Sequence, residues 1–249
     1  MTFLMAKVVI GNWKMHKTVR EATVYLETLI PLVGKCKAKV FLAVPYTAIA
    51  ACAKMAKGAG IFIGAQNMHD ARDGAFTGEI AALMLKEAGA DFVLLGHSER
   101  RHGFGESNEF IGKKVVRALQ DDLIPVLCVG EQEGEKTEVV LEEQLRACLE
   151  NVPKEEAGEL IVAYEPVWAI GTGKTATVAQ ASEAHTICRR VLGSLFGKRI
   201  AAKIPVLYGG SVKPDNAKKL MAEEEIDGVL VGGASLDPNT FATIAAGVK

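Results

Sequence analysis

The 249-residue sequence lacks any strong excess of charge. Lysine and arginine together number 29 and aspartate and glutamate 30, so the formal net charge is -1 and the pI is near 6.5. A chain with so little net charge has no global field that would attract nucleic acid or an acidic membrane surface. We therefore expect neither partner, and any anion that the protein binds must be met by local groups.

Cysteines are few, and long hydrophobic runs are missing. The five cysteines are odd in number and widely spaced, which favours buried reduced thiols over a disulfide framework or a metal site. No apolar run approaches the roughly 20 residues of a membrane-spanning helix. Lys7, Asn12 and Lys14 interrupt the apolar start before a signal-peptide core can form. These features predict a cytoplasmic protein without a metal.

Short continuous apolar runs alternate with helical patterns along the whole chain, of which 49% is hydrophobic. Runs that are apolar at consecutive positions are buried on both faces, as in a parallel sheet covered by helices. Eight such units of about 30 residues each favour a closed barrel over an open sheet. The predicted strands are 8–11, 40–44, 61–65, 92–95, 125–129, 160–164, 205–208 and 228–231.

The segments between these runs carry helix signals. Thr18 with Glu21, and Thr177 with Gln180, have the spacing of capping boxes, in which each side chain satisfies a backbone N–H of the other residue. Apolar residues after the first box and in the region 141–149 follow helical spacing. No low-complexity linker divides the units, so the sequence predicts one α/β domain over residues 1–249, a (β/α)8 barrel.

The segment AYEPVWAIGTGKTAT at 163–177 places Glu165 at the end of a predicted strand, before a long loop bounded by proline and glycine. This order predicts a reacting carboxylate under a movable cover, although a solvated glutamate in an ordinary loop also fits. A phosphate-binding P-loop does not fit, because Trp168 occupies a required glycine position. The dinucleotide pattern is weak, because residues 165–170 separate its glycines from the strand.

Polar groups follow two other predicted strands. Asn12 and Lys14 point to the same side if the backbone is still extended there, so Lys14 could meet an anionic substrate; an exposed surface lysine fits equally well. His97 precedes a polar stretch able to start a helical turn, whose N–H groups favour a neutral ring. Taken alone, His97 is more often a structural histidine.

Glycine pairs follow the last two predicted strands. Gly209 and Gly210 precede Ser211, and Gly232 precedes Gly233. Either pair could form only a tight turn, but the loops after these strands commonly hold phosphate in barrels. A carboxylate base, a neutral polarising group, a lysine and an anion cradle suit proton removal beside a carbonyl on a small phosphorylated molecule, without a metal or an organic cofactor.

Six segments, taken together and in this order, resemble the triosephosphate isomerase family over essentially the whole chain. They are GNWKM at 11–15, AFTGE at 75–79, GHSERR at 96–101, AYEPVWAIGTGKTAT at 163–177, YGGSV at 208–212 and VGGASL at 231–236. The resemblance implies a single-domain (β/α)8 TIM barrel. It also implies interconversion of dihydroxyacetone phosphate and D-glyceraldehyde 3-phosphate through an enediol(ate), in glycolysis and gluconeogenesis.

The resemblance assigns roles residue by residue. Glu165 is the implied base, His97 polarises the carbonyl, and Lys14 and Asn12 give electrostatic support. Glu99 positions Lys14. The implied phosphate-binding residues are Gly171, Ser211, Gly232 and Gly233. The implied lid has Pro166, Val167 and Trp168 as one hinge, Lys174, Thr175 and Ala176 as the other, and Ala169, Ile170 and Gly173 between them.

The family's use of the loop 66–79 implies a homodimer. Ala75, Phe76 and Thr77 form its tip, and an exposed phenylalanine there favours an interface, although an ordinary surface loop also fits. Two other functions stay open from the residues. One is a Schiff-base sugar-phosphate aldolase that uses Lys14 or Lys174, and the other is an inactive sugar-phosphate-binding barrel.

Overall fold

The computed structural model describes residues 6–247. Eight strands, each parallel to its neighbours, follow one another around a closed barrel in the order of the sequence, and the last pairs with the first. They are β1 (Val8–Asn12), β2 (Lys39–Ala43), β3 (Ile61–Ala65), β4 (Phe92–Leu95), β5 (Ile124–Val129), β6 (Ile161–Tyr164), β7 (Val206–Tyr208) and β8 (Gly228–Val231). The predicted (β/α)8 TIM-barrel fold is confirmed.

Each predicted strand lies within one residue of an observed strand, and proline explains two of the differences. β2 ends at Ala43, because Pro45 has no N–H with which to continue the ladder after Val44 donates to the Gly64 carbonyl. β7 begins at Val206, after Pro205. Proline therefore sets these strand ends more precisely than the apolar pattern does.

Helices surround the barrel, and two of them begin at the predicted caps. They are α1 (Val19–Val33), α2 (Ile49–Ala56), α3 (Ala82–Glu87), α4 (Ser98–Gly103), α5 (Asn108–Gln120), α6 (Thr137–Leu149), α7 (Val178–Phe196), α8 (Lys198–Ala201), α9 (Pro214–Leu220) and α10 (Pro238–Ala246). Both predicted capping boxes form, at Thr18 with Glu21 and at Thr177 with Gln180. The second box fixes the residue at which the long loop after β6 ends.

Two hydrophobic clusters explain why the strands are apolar at consecutive positions. One fills the barrel interior and includes Phe41 and Phe92, whose ring centroids lie 5.1 Å apart. The other lies between the sheet and the helices. Because successive strand residues point to opposite faces, each strand contributes to both clusters. Gly64 leaves room inside, since a Cβ there would lie 2.4 Å from the Phe92 ring.

Four of the five cysteines are buried and Cys36 is partly exposed, and none is disulfide-bonded. Among residues 6–247, none of the helices combines the length and the apolarity that crossing a bilayer requires. Because all strands are parallel, the loops that follow them meet at one rim, the carboxyl end of the barrel. The polar motifs NWK, GHSERR, EPVW, YGGS and VGG all lie there.

Candidate active site

A cavity of about 390 Å³ opens at the carboxyl end of the barrel. It brings together every residue that the sequence analysis assigned to catalysis or to phosphate binding. These are Asn12, Lys14, His97, Glu165, Gly171, Ser211, Gly232 and Gly233. The remaining lining residues are Ile170, Gly209, Gly210, Val212, Lys213, Leu230 and Ala234.

Glu165 is the first residue after β6 and is only 2% exposed. Its backbone N–H donates to the Val129 carbonyl at 2.7 Å, so the strand ladder fixes its main chain. One carboxylate oxygen, Oε2, accepts a hydrogen bond from the Ser98 N–H at 3.2 Å. The other oxygen, Oε1, lies 3.2 Å from Nε2 of His97. The carboxylate is therefore held at the cavity wall with one oxygen beside the histidine.

His97 is the N-cap of α4, and the predicted helix start after it is confirmed. Its Nδ1 accepts a hydrogen bond from the Glu99 N–H at 3.2 Å. A ring nitrogen that accepts a hydrogen bond carries a lone pair, so the ring proton lies on Nε2. That proton points toward Glu165 and the cavity. The ring can thus donate a hydrogen bond without carrying a net charge.

Lys14 does not have the extended backbone that the sequence analysis assumed. Its φ is 52°, in the left-handed region, which is rare for a residue with a side chain. Asn12 Oδ1 accepts the Lys14 N–H at 2.9 Å, and Gln66 Nε2 donates to the Lys14 carbonyl at 2.8 Å. The side-chain contacts of Asn12 and Gln66 therefore hold the turn that brings Lys14 to the cavity.

The Lys14 ammonium pairs with Glu99, at 2.5 Å from Oε1. Partial burial acts to raise the pKa of Glu99, but the hydrogen bond from Lys14 and nearby positive charge outweigh it, so the pKa lies below its usual range. Glu99 is thus ionised near neutral pH. It lies outside the lining of the cavity and fixes the position of the lysine from behind.

Glycine-rich backbone forms one side of the cavity, chiefly in the loops that follow β7 and β8. Gly171 has a φ of 71°, and a Cβ on Gly210 would lie 2.2 Å from the Tyr208 hydroxyl. Gly232 passes close to Lys14, since a Cβ on it would lie 3.6 Å from the lysine Cε. Backbone that approaches so closely can present N–H groups to an anion. The sequence analysis missed Lys213, a second cation at this side.

The loop after β6 contacts the cavity with only part of its length. Ile170 and Gly171 line the cavity, whereas Trp168 points to the other side and donates its indole N–H to Glu131 Oε1 at 2.8 Å. The Tyr164 hydroxyl donates to the same oxygen at 3.0 Å. The Val167 N–H donates to the Glu131 carbonyl at 3.0 Å. Glu131 is 2% exposed, and the sequence analysis missed it.

The far end of this loop is exposed. Lys174 pairs with Glu133 at 2.5 Å on the outer surface and does not line the cavity. Thr175 is exposed and Ala176 packs against the core. Pro166 and Ala169 are buried, whereas Gly173 is exposed. The loop is thus anchored at its start and weakly held at its end.

Ala75, Phe76 and Thr77 lie at an exposed loop tip, outside the cavity. Phe76 is 47% exposed, and its ring centroid lies 4.2 Å from that of His69. A second cavity, of about 340 Å³, adjoins the first through Asn12, Lys14 and His97. Its outer wall includes Met15 and Phe104, which are 95% and 71% exposed.

One buried thiol lies close to the candidate base. Burial, and next the Glu165 carboxylate, raise the pKa of Cys128 well above its usual value, so the thiol stays protonated. Within residues 6–247, no group of three or more histidine, cysteine, aspartate or glutamate side chains is placed to hold a metal ion.

A parallel barrel whose carboxyl rim brings a buried carboxylate, a histidine and a lysine into one cavity has the architecture of a (β/α)8-barrel enzyme. A family model described as Triosephosphate isomerase matches residues 7–248. The triosephosphate isomerase of Protochlamydia amoebophila is 49% identical over 95% of this chain and 91% of its own. Those of Clostridium botulinum and Caldanaerobacter subterraneus are each 49% identical, over 95% of this chain and 97% of theirs. The chain belongs to the triosephosphate isomerase family and is an isomerase.

Proposed function

We propose that the protein interconverts dihydroxyacetone phosphate and D-glyceraldehyde 3-phosphate by proton transfer through an enediol(ate), in glycolysis and gluconeogenesis. The observation that carries this proposal is the 3.2 Å separation of Glu165 Oε1 and His97 Nε2 in one cavity that Lys14 also lines. A base and a hydrogen-bond donor so close together can act on adjacent atoms of a three-carbon substrate. Membership of the triosephosphate isomerase family supports the substrate class.

Glu165 is the proposed base. It removes a proton from one carbon beside the carbonyl and returns it to the neighbouring carbon. Its burial supports this role, because a reacting group that is shielded from water is protected from side reactions. The Ser98 N–H holds Oε2, and Oε1, which lies beside His97, is the oxygen proposed to reach the substrate.

His97 donates its Nε2 proton to the carbonyl oxygen as negative charge develops there and takes up the proton of the neighbouring hydroxyl, so the ring returns to its starting state. Lys14 stabilises that charge, and Asn12 contributes by holding the backbone turn of Lys14. Glu99 acts on the lysine and touches no substrate.

Gly171, Ser211, Gly232 and Gly233 hold the phosphate through backbone groups, with Lys213 nearby. The loop from Pro166 to Ala176, including Val167, Trp168, Ala169, Ile170, Gly173, Lys174 and Thr175, acts as a lid. Its weakly held far end supports this role, since a segment with few buried contacts opens at low cost. Closing the lid brings Gly171 to the phosphate and excludes water from the enediolate.

The protein acts as a homodimer in the cytoplasm, as one domain over residues 1–249 and without a cofactor. Ala75, Phe76 and Thr77 of one protomer dock beside the active site of its partner. The exposed Met15 and Phe104 on the wall of the 340 Å³ cavity support this assembly, because exposed apolar side chains around a groove favour an interface. We expect no nucleic acid or membrane partner.

The proposed function is tested by NMR in deuterium oxide with purified protein and dihydroxyacetone phosphate. Isomerisation by a single base produces the aldehyde isomer and places deuterium from solvent at the reacting carbon. Buffer without protein is the control. A folded sample that leaves the triose phosphates unconverted contradicts the proposal.

Borohydride trapping separates the isomerase from a Schiff-base aldolase. A neutral amine is needed to form a Schiff base, yet Lys14 is paired with ionised Glu99, and Lys174 lies outside the cavity against Glu133. We expect no covalent adduct in the mass spectrum after reduction with substrate present. An adduct on Lys14 supports the aldolase, and binding of substrate with neither exchange nor adduct supports an inactive binding barrel.

A further inference from the structure

A short backbone segment connects the candidate base to the first lid hinge. After β5 the chain continues as Gly130 and Glu131 beside the residues that follow β6. The Glu165 N–H donates to the Val129 carbonyl at 2.7 Å, and the Val167 N–H donates to the Glu131 carbonyl at 3.0 Å. Since alternate residues of a parallel strand bond to the same neighbour, the N–H and C=O of Gly130 point away from β6.

These two groups of Gly130 need partners from elsewhere, and the side chain of Gln144 on α6 supplies both. Gln144 Oε1 accepts the Gly130 N–H at 2.8 Å, and Gln144 Nε2 donates to the Gly130 carbonyl at 3.3 Å. The amide of one side chain thus replaces a missing strand partner. Leaving a backbone N–H and C=O without partners would be costly in this half-buried region.

The segment that Gln144 holds also touches Glu165 directly. A Cβ on Gly130 would lie 1.8 Å from the Glu165 carbonyl oxygen, so only glycine allows this approach. The next residue, Glu131, accepts hydrogen bonds from both Tyr164 and Trp168. A shift of this segment would therefore move the backbone of the base and the first lid hinge together.

The α6 helix is packed firmly enough to hold Gln144 in place. Leu141, Leu145, Cys148 and Leu149 are all buried between the helix and the barrel. Gln144 itself does not line the substrate cavity, so it touches no substrate. We propose that Gln144 is a positioning residue. It fixes the backbone of Gly130 and Glu131 and thereby places Glu165 and the first lid hinge for catalysis. This inference rests on the proposed function.

The first variant is Gln144→Leu, which removes both hydrogen bonds at similar volume. Because small misplacements of a base cost much in rate, we expect kcat to fall about ten-fold. Inhibition by inorganic phosphate should stay within about two-fold, since the phosphate-binding glycines lie in other loops. Glu143→Ala, at the exposed neighbouring residue of α6, is the matched control and should keep the wild-type kcat. An unchanged kcat for Gln144→Leu overturns the proposal.

The second variant, Gln144→Glu, provides a readout that a purely structural role would not move. An ionised carboxylate accepts the Gly130 N–H but repels the Gly130 carbonyl, whereas a protonated carboxyl again both accepts and donates. Partial burial beside the Gly130 carbonyl disfavours the ionised form, so the pKa of the new carboxyl should lie above the usual value of about 4.3. The ratio of its kcat to the wild-type kcat should therefore rise from about one-tenth at pH 8 as the pH falls to 5. The corresponding ratio for Gln144→Leu should stay flat.

Two further outcomes overturn the inference. One is a flat ratio for Gln144→Glu, and the other is a loss of thermal stability in both variants with an unchanged kcat per folded molecule. These results are distinct from a failure of the proposed function. In that case the wild-type protein itself would not exchange deuterium into dihydroxyacetone phosphate.

Discussion

At the amino end of the barrel, Asp91 and Asp227 each precede a strand and accept a backbone N–H from the strand before it. At the carboxyl end, Glu165 and His97 face a cavity instead. Asp91 Oδ2 accepts the Ile63 N–H at 2.9 Å, and Asp227 Oδ2 accepts the Val206 N–H at 2.7 Å. The polar side chains at the amino end therefore bind backbone groups of the barrel itself, whereas those at the carboxyl end face a cavity.

The amino end uses its charges to join secondary-structure elements. Arg189 on α7 pairs with Asp227 and donates to the Ile204 carbonyl at 2.5 Å. Lys7 donates to the Ile226 carbonyl, also at 2.5 Å. Side chains that satisfy backbone groups in this way stabilise the fold and leave little for a ligand. Stability and catalysis should therefore respond separately to substitutions at the two ends.

The largest expected effect is at the carboxyl end, in Glu165→Asp. The substitution withdraws the carboxylate by one methylene while preserving its charge. Since a positioned base contributes 10² to 10⁴ in rate, we expect kcat to fall about 1000-fold, or about 4 kcal/mol. Thermal unfolding should stay within about 2 °C, and steady-state kinetics with circular dichroism measures both. Unchanged turnover would remove Glu165 from the role of base.

His185 belongs to neither end, and its effect on the stability of the fold should depend on pH. It is fully buried on α7, and burial lowers its pKa to about 4. The unfolded chain, with a histidine pKa near 6.5, binds more protons between these values, so stability falls as the pH drops from about 6.5 toward 4. We expect a loss of about 2 kcal/mol between pH 7 and pH 5.

Urea denaturation of the wild-type protein and of His185→Gln at both pH values measures this loss. The variant should show a smaller decrease in the free energy of unfolding over the same window. His102→Gln, at an exposed histidine, is the control and should behave as wild type. An equal decrease in His185→Gln and wild type would mean that other groups cause the acid sensitivity.

A smaller effect, on stability alone, is expected for Asp227→Asn at the amino end. The change removes the charge that Arg189 and the Val206 N–H both bind. Hydrogen bonds to charged groups contribute about 1.5 kcal/mol, and we expect a loss of that size in urea. Turnover per folded molecule should be unchanged. Asp122→Asn, at an 89% exposed side chain, is the control. A large fall in kcat would show that the amino end also affects catalysis.

The smallest effect is expected for Lys174→Ala. This side chain is at the carboxyl end but pairs with Glu133 at the surface, where the two side chains are 55% and 74% exposed. Exposed pairs contribute less than about 1 kcal/mol and are screened by salt. We expect kcat/KM to change by about two-fold at low ionic strength and by less at 0.5 M salt. A change of ten-fold or more would show that the second lid hinge depends on this pair.

The strands were predictable because burial on both faces leaves a signal in the sequence itself. A run such as FVLL at 92–95 is apolar at each position, and Gly89 and Gly96 flank it. The capping boxes at Thr18 and Thr177 were predictable because both partners of each box lie within four residues in the sequence. The candidate site residues were found because each follows a predicted strand.

The supporting contacts could not be read from the sequence. Gln144 and Glu131 are ordinary polar residues whose partners lie on other elements, and no local pattern marks such pairings. The left-handed backbone of Lys14 is held by Asn12 and by Gln66, which is 52 residues away. The backbone is not extended there, and the contact with Gln66 could not be read from the local sequence. Sequence thus indicates which groups gather at the rim, and the fold decides how each is held.

Closure of the sheet has a consequence for how this protein misfolds. Each of the eight strands in residues 6–247 pairs with a neighbour on both sides, and β8 meets β1. A sheet without an edge offers no row of unpaired backbone groups to which a strand of another molecule could add. Growth of amyloid-like aggregates must therefore wait until the cylinder has opened. The rate of that opening, more than the exposed apolar area of the native state, should set the aggregation rate.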